Sequence, residues 1–69
     1  SGDAVGFRIM AEAGVLPEEI GLKKQIARQR EVLAGLTGPE AQKTAMAELA
    51  RLEMRHAMAQ EARRAFLRD

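Results

Sequence analysis

Several residue types that stabilise or identify small proteins are missing from this sequence. The chain has no cysteine, no tryptophan and no tyrosine, and two phenylalanines are its only aromatic residues. Without cysteine it contains no disulfide bond and no thiolate metal site. It also lacks an apolar run near the ~20 residues of a membrane span, and it shows no signal-peptide pattern. These absences are compatible with a reducing compartment, so we expect a cytoplasmic protein without a membrane partner.

No charge of one sign dominates the sequence. Eleven Lys and Arg residues against ten Asp and Glu residues give a formal net charge of +1. This balance gives no strong overall attraction to nucleic acid or to an anionic membrane. Glycine-rich phosphate loops and a nucleophile beside a general base are also missing. We therefore expect a protein that is not an enzyme and that binds no cofactor.

The length of the chain limits how stable it can be alone. Sixty-nine residues form one domain at most, and a chain of this size buries only about 60% of its unfolded surface. Small domains compensate with disulfides, metals or oligomerisation. Because cysteine is absent, oligomerisation or docking on a partner is the expected device. The chain begins Ser-Gly-Asp without methionine, which indicates a tag-cleavage scar and a fragment of a longer protein.

The longest predicted element is a helix over residues 39–68. Pro39 suits a first helical turn, and Thr37 with Glu40 three residues later forms a capping-box pattern. No glycine or proline follows Pro39, and most later residues are strong helix formers. The sequence therefore predicts one uninterrupted helix to the C-terminal end.

Apolar residues of this helix fall on two separate sides at about 100° per residue. One side, the leucine stripe, contains Ala45, Leu49, Leu52, His56, Ala59 and Leu67. The other side, the Met/Ala face, contains Met46, Ala50, Met54, Ala57, Met58 and Ala65. A helix needs one apolar stripe to dock on a core. Two stripes predict either a single core that covers both, or one intramolecular and one intermolecular contact.

A preceding helix is predicted over residues 17–35. Pro17 and the acids after it suit a helix start, and a 4-3-4-3 spacing places Leu22, Ile26, Gln29, Leu33 and Leu36 on one side. Gly35 and Gly38 indicate a left-handed helix stop. The short turn 35–38 makes the two helices antiparallel neighbours, in a register that pairs Ile26 with Leu52 and Leu22 with His56.

The predicted fold is all-α. It is an antiparallel two-helix hairpin over residues 16–69, preceded by an arm or short helix over residues 1–15 that Gly14 ends. The hairpin is expected to be held by Leu22, Ile26, Leu33, Leu49 and Leu52. The arm either stays flexible or folds onto the Met/Ala face of its own or a neighbouring chain. Since one hairpin has no third wall, we expect a homodimer that forms a four-helix bundle.

Gln29 and His56 are polar residues on apolar sides of the hairpin. A seam amide such as Gln29 either fixes register, as in coiled coils, or reaches water at a boundary position. His56 is interpreted first as an interior histidine that reaches Glu19 across the hairpin. The alternative is a metal site: Glu53-x-x-His56 resembles the i, i+3 pair of ferritin-like carboxylate proteins, with Glu19 as a third ligand in a dimer.

Basic residues supply another candidate surface. A stretch of the first hairpin helix and two arginines of the second are expected at a similar height, namely Lys23, Lys24, Arg28, Arg30, Arg51 and Arg55. Such a patch contacts phosphates without reading sequence, but interleaved acids favour an ordinary solvated face.

The leading functional prediction is a protein-interaction and oligomerisation module, an adaptor or a regulatory subunit. It would bind a second copy or another helical protein through Met46, Ala50, Met54, Ala57 and Met58. Nucleic-acid binding by the basic residues is the alternative, followed by the metal site.

Overall fold

The computed structural model describes residues 2–68 and consists of three helices. These are α1 (Gly2–Ala13), α2 (Pro17–Ala34) and α3 (Pro39–Arg68). The all-α class and the packing of α2 against α3 are confirmed. Ser1 and Asp69 lie outside the described residues, and with them the first residue of the expected scar and the last residue of the predicted hairpin.

The helix starts follow local chemistry. Pro17 occupies the first position of α2, and Glu18 and Glu19 lie in its first turn, where the helix dipole favours negative charge. The residue before the helix, Leu16, is extended with φ −65° and ψ 135° and contributes no side-chain cap. Proline therefore begins α2 without help from a capping hydroxyl or carboxylate.

The glycine that ends a helix in the left-handed conformation is Gly14, with φ 72°. Its N–H donates to Ala11 O at 3.1 Å, and it ends α1 as predicted. The left-handed stop predicted at Gly35 and Gly38 is wrong. Gly35 has φ −88°, and its N–H donates to Glu31 O and Val32 O. The right-handed backbone thus continues to the end of α2 before the chain turns.

A side chain of α3 secures the connection between α2 and α3. Gln42 Nε2 donates a hydrogen bond to Leu36 O at 2.9 Å. Further along, Gln29 Nε2 donates to Ala45 O at 3.1 Å. This second bond joins the backbone of α3 to the side-chain amide of Gln29, which was predicted to lie in the seam between the two helices. It supports the interpretation that Gln29 fixes register.

The core of the hairpin is small. Leu22, Ile26 and Leu52 are buried together, with Leu49 and Ala59 packed against them. Ile26 and Leu52 meet as the predicted register requires, while Leu33 is half-buried. The leucine stripe of α3 is therefore the side that α2 covers.

The helix α1 packs on the C-terminal end of α3. Ala11 is fully buried, and the rings of Phe7 and Phe66 meet edge to face with centroids 4.9 Å apart and an interplanar angle of 83°. The arm is thus a docked helix. The alternative that it covers the Met/Ala face of its own chain is wrong, because Met46, Met54 and Met58 remain exposed.

The molecule is elongated, with principal extents of 52 × 17 × 14 Å. Its radius of gyration is 15.6 Å, whereas a compact domain of 69 residues has about 11 Å. Between residues 2 and 68, none of the helices has the length and apolar character that a bilayer crossing requires.

Candidate interaction surfaces

The Met/Ala face is the most exposed apolar side of α3. Met46, Met54 and Met58 have 58%, 63% and 65% of their surface accessible to solvent. Ala50 and Ala57 are exposed between them. Met54 follows buried Leu52 by two residues, which is about 200° around a helix with 3.6 residues per turn. The Met/Ala face therefore points away from α2, and Ala65 at its far end is half-buried.

Two opposite charges bound the exposed part of the Met/Ala face, which runs from Met46 to Met58. Lys43 lies one turn before Met46, and Glu61 lies one turn after Met58. They are 18 residues apart, which is five full turns, so both lie on the same line along α3 as the centre of the face. Glu61 pairs with Arg64 at 3.8 Å and with Arg68 at 3.2 Å. Lys43 forms no ion pair with any residue from 2 to 68.

A buried ion pair connects all three helices at the open end of the hairpin. Arg63 Nε donates to Glu19 Oε2 at 2.8 Å, and the two side chains are 18% and 5% exposed. The same guanidinium donates through Nη1 to Ala11 O at 3.5 Å. Arg63 therefore joins α2 to α3 and also reaches the last turn of α1.

The predicted contact between His56 and Glu19 is wrong, since Arg63 occupies that carboxylate. A guanidinium is always charged and makes a stronger charge-assisted hydrogen bond than a neutral imidazole. Nε2 of His56 is buried and has no hydrogen-bond partner among the described residues.

His56 lies in a groove on one side of the seam between α2 and α3. The groove has a volume of about 520 Å³, and it is lined by Lys23, Ile26, Arg30, Glu53, His56, Ala57 and Gln60. Across it, Arg30 Nη2 donates to Glu53 Oε2 at 3.2 Å. This exposed ion pair neutralises part of the charge at the groove, whose lining is mixed in polarity.

The three proposed metal ligands do not converge within the chain. Glu19 is bound to Arg63 and Glu53 to Arg30, so each carboxylate already has a cationic partner. Over residues 2–68 no group of three or more His, Asp and Glu side chains is arranged to hold a metal ion. A site that two chains share stays a prediction.

The predicted basic residues are exposed but do not form one patch. Lys23 and Arg30 line the His56 groove, whereas Arg55 lines a separate groove with Glu18 and Met58. On α3, Arg55 is two residues from Glu53, so the two side chains leave the helix about 200° apart. The grooves therefore lie on different sides of the seam, while Lys24 and Arg28 line neither.

Carboxylates also pair with some of the predicted basic residues. Arg51 forms two hydrogen bonds with the carboxylate of Glu48, at 2.9 and 2.6 Å. The hydrogen bond from Arg51 holds the pKa of the Glu48 carboxyl below its usual value, and the charge of Arg51 adds to the effect. Nucleic-acid binding stays a prediction, with fewer free cations than the sequence indicated.

The sequence did not predict the contacts by which Phe7 and Arg8 of α1 hold Phe66 of α3. Besides the contact between Phe7 and Phe66, the Arg8 guanidinium lies 5.7 Å from the centre of the Phe66 ring. One signal was available. The only two aromatic residues lie at opposite ends of the chain, in segments that a three-helix arrangement brings together.

No protein-family model, no curated protein and no solved structure matches this chain. Its function is therefore inferred from the exposure, contacts and charges of its own residues.

Proposed function

We propose that this chain is a non-enzymatic protein-interaction and oligomerisation module that acts through the Met/Ala face of α3. The observation that carries the proposal is the exposure of Met46, Met54 and Met58, at 58–65% each, along one side of a 30-residue helix. A row of exposed methionines with alanines between them is typical of an interaction site rather than of an inert surface. Covering that row by a partner helix is the proposed mechanism.

The total surface of the chain supports this proposal. The chain exposes 5061 Å², whereas a folded monomer of 7.6 kDa exposes about 4300 Å². The surplus is about 800 Å², which is the area that one partner buries in a stable interface of standard size. The chain therefore has enough uncovered surface for one ordinary protein partner.

The residue types of the Met/Ala face suit a helical partner. Ala50 and Ala57 carry small side chains, which let a second backbone approach closely. Met46, Met54 and Met58 have flexible thioether side chains that adapt their shape to the surface that covers them. An apolar side of a helix laid against another helix is a common recognition mode.

The experiment is the absolute mass in solution over a wide range of concentration, measured by light scattering on wild type and on Met54→Asp. We expect wild type to assemble, and Met54→Asp to dissociate while its helical circular dichroism is retained. A carboxylate at this position has to be desolvated in the interface but stays in water in the free chain.

The control variant is Lys24→Ala, which changes an exposed residue of α2 away from the Met/Ala face and should leave the mass unchanged. If Met54→Asp has the same mass and the same thermal stability as wild type, the Met/Ala face is not an interaction site. A wild-type chain that is monomeric at every concentration contradicts oligomerisation.

A further inference from the structure

We infer that the partner on the Met/Ala face is α3 of a second copy of this chain, antiparallel to the first and centred between Ala50 and Met54. The inference rests on the proposed function, and it adds the identity of the partner, its direction and its register. Its basis is the order of charges and side-chain sizes along the exposed side of α3.

The bounding charges specify the direction. In an antiparallel pair centred between Ala50 and Met54, Lys43 of each copy lies opposite Glu61 of the other, so both ends of the interface carry an attractive contact. In a parallel pair, Lys43 meets Lys43 and Glu61 meets Glu61. Like charges across an interface disfavour that arrangement. The charges therefore favour the antiparallel pair.

The apolar residues also fit an antiparallel pair that is centred between Ala50 and Met54. Antiparallel pairing places Met46 opposite Met58, and Ala50 opposite Met54. Large side chains then meet at the two flanks, and a small one meets a large one near the middle. Alternating sizes allow helix axes to approach within about 8–10 Å. One centre therefore satisfies the charges and the packing together.

The ion pairs within one chain do not prevent Lys43 and Glu61 from pairing with a second copy. Glu61, Arg64 and Arg68 are all more than half exposed, and exposed ion pairs contribute little to stability. Lys43 is exposed and has no ionic partner in the part of the chain that the structure describes. Both side chains are thus available to a second chain.

This contact also defines the arrangement of the four helices. The leucine stripe faces α2 and the Met/Ala face lies about opposite to it, so two α3 helices would form the centre and the α2 helices the outside. The four-helix bundle expected from the sequence would then be a layer in the order α2, α3, α3, α2. His56 would lie away from the two-fold axis.

Two single-cysteine variants test the direction, because these 69 residues include no cysteine. Met46→Cys and Met58→Cys are treated with a short bis-maleimide that spans about one helix-to-helix separation of 8–10 Å. In the antiparallel pair, equal positions are separated by 12 residues, or about 18 Å along the axis. We expect cross-linking when the two variants are mixed and little when either is treated alone. Cross-linking of each variant by itself indicates a parallel pair and overturns the inference.

Charge reversal tests the same contact without a cross-linker. Lys43→Glu and Glu61→Lys should each weaken dimerisation by about tenfold, because each change creates two repulsive contacts per dimer. The double variant Lys43→Glu/Glu61→Lys should recover the wild-type dissociation constant. Lys24→Glu is the control for charge alone. Single variants that dimerise like wild type, or a double variant that is as weak as the singles, overturn the inference.

The outcomes separate this inference from the proposed function. Met54→Asp that dissociates the assembly, together with cross-links in each cysteine variant alone, keeps the function and rejects the antiparallel pair. Met54→Asp of unchanged mass and stability rejects both. A wild-type chain that is monomeric at every concentration rejects the second copy as the partner.

Discussion

The two sides of α3 have similar apolar content and different surroundings. The leucine stripe is covered by α2, with Ala45 and Leu52 buried. On the Met/Ala face, no helix between residues 2 and 68 covers Met46, Met54 or Met58, and Met54 is 63% exposed. Both sides contain helix-forming apolar residues at helical spacing. What distinguishes them is whether the rest of the chain supplies a complementary surface.

The difference shows how few helices this chain has available. One surface of α2 covers the leucine stripe, and α1 is used at the C-terminal end of α3 against Phe66 and Arg63. No further helix remains among residues 2–68. A small chain with two apolar sides on its longest helix therefore leaves one of them uncovered by its own helices.

The largest expected effect concerns the covered side. Leu52→Ala removes a buried side chain from a core with few others, and we expect a loss of about 3 kcal/mol in the free energy of unfolding. Met54→Ala, two residues away on the exposed side, should change the free energy of the monomer by less than about 0.5 kcal/mol. Urea denaturation at low protein concentration measures both. Equal losses in the two variants would contradict the distinction between the two sides.

The next effect concerns the open end of the hairpin. Arg63→Ala leaves Glu19 buried without its cation, and breaking a buried ion pair is strongly destabilising. We expect the free energy of unfolding to fall by about 2 kcal/mol, since the N-terminal dipole of α2 partly compensates the unpaired carboxylate. The neighbouring Arg64→Ala removes only an exposed ion pair and should have little effect. The comparison fails if thermal unfolding of the two variants is indistinguishable.

A smaller effect is expected where α1 meets α3. Phe66→Leu keeps an apolar side chain but removes the edge-to-face contact with Phe7 and the ring below Arg8, which together contribute about 1 kcal/mol. Amide exchange of residues 3–13 should become about fivefold faster, while exchange at Leu22 and Leu52 changes little. Exchange that accelerates equally in all three helices would show that α1 does not open as a separate unit.

The smallest effect concerns the two connections between helices, α1 to α2 at Gly14 and α2 to α3 at Gly35. Gly35 has a right-handed conformation, and a Cβ there meets only Val32 O at 3.7 Å and Glu31 O at 3.8 Å. Gly35→Ala should therefore raise the melting temperature through about 0.5 kcal/mol of reduced unfolded-state entropy. Gly14→Ala should lower it, because φ 72° is strained for alanine. The opposite order would support a left-handed Gly35.

Much of the hairpin could be predicted from local and periodic signals. Pro17 and Pro39 begin the two helices as expected, and the spacing of Ile26 and Leu52 predicted the register in which they meet. These features depend on a fixed helical period and on backbone rules at helix ends. The Met/Ala face was likewise recognised from its spacing.

Other contacts depended on which long side chains reach each other across helices. Arg63 takes Glu19 in place of His56, and α1 docks through Phe7 and Ala11. Several residues on neighbouring turns compete for such contacts, so sequence spacing alone does not select one.

The sequence by itself determined three things about this protein: its helical class, the pairing of α2 with α3, and the presence of two apolar sides on α3. Helical periodicity and chain stiffness are local properties, so they can be read from neighbouring residues. Only the tertiary structure decided which cation pairs with Glu19, where α1 docks and which glycine is left-handed. Those outcomes depend on competition among distant groups for the same surface, and the choice exists only once the chain is folded.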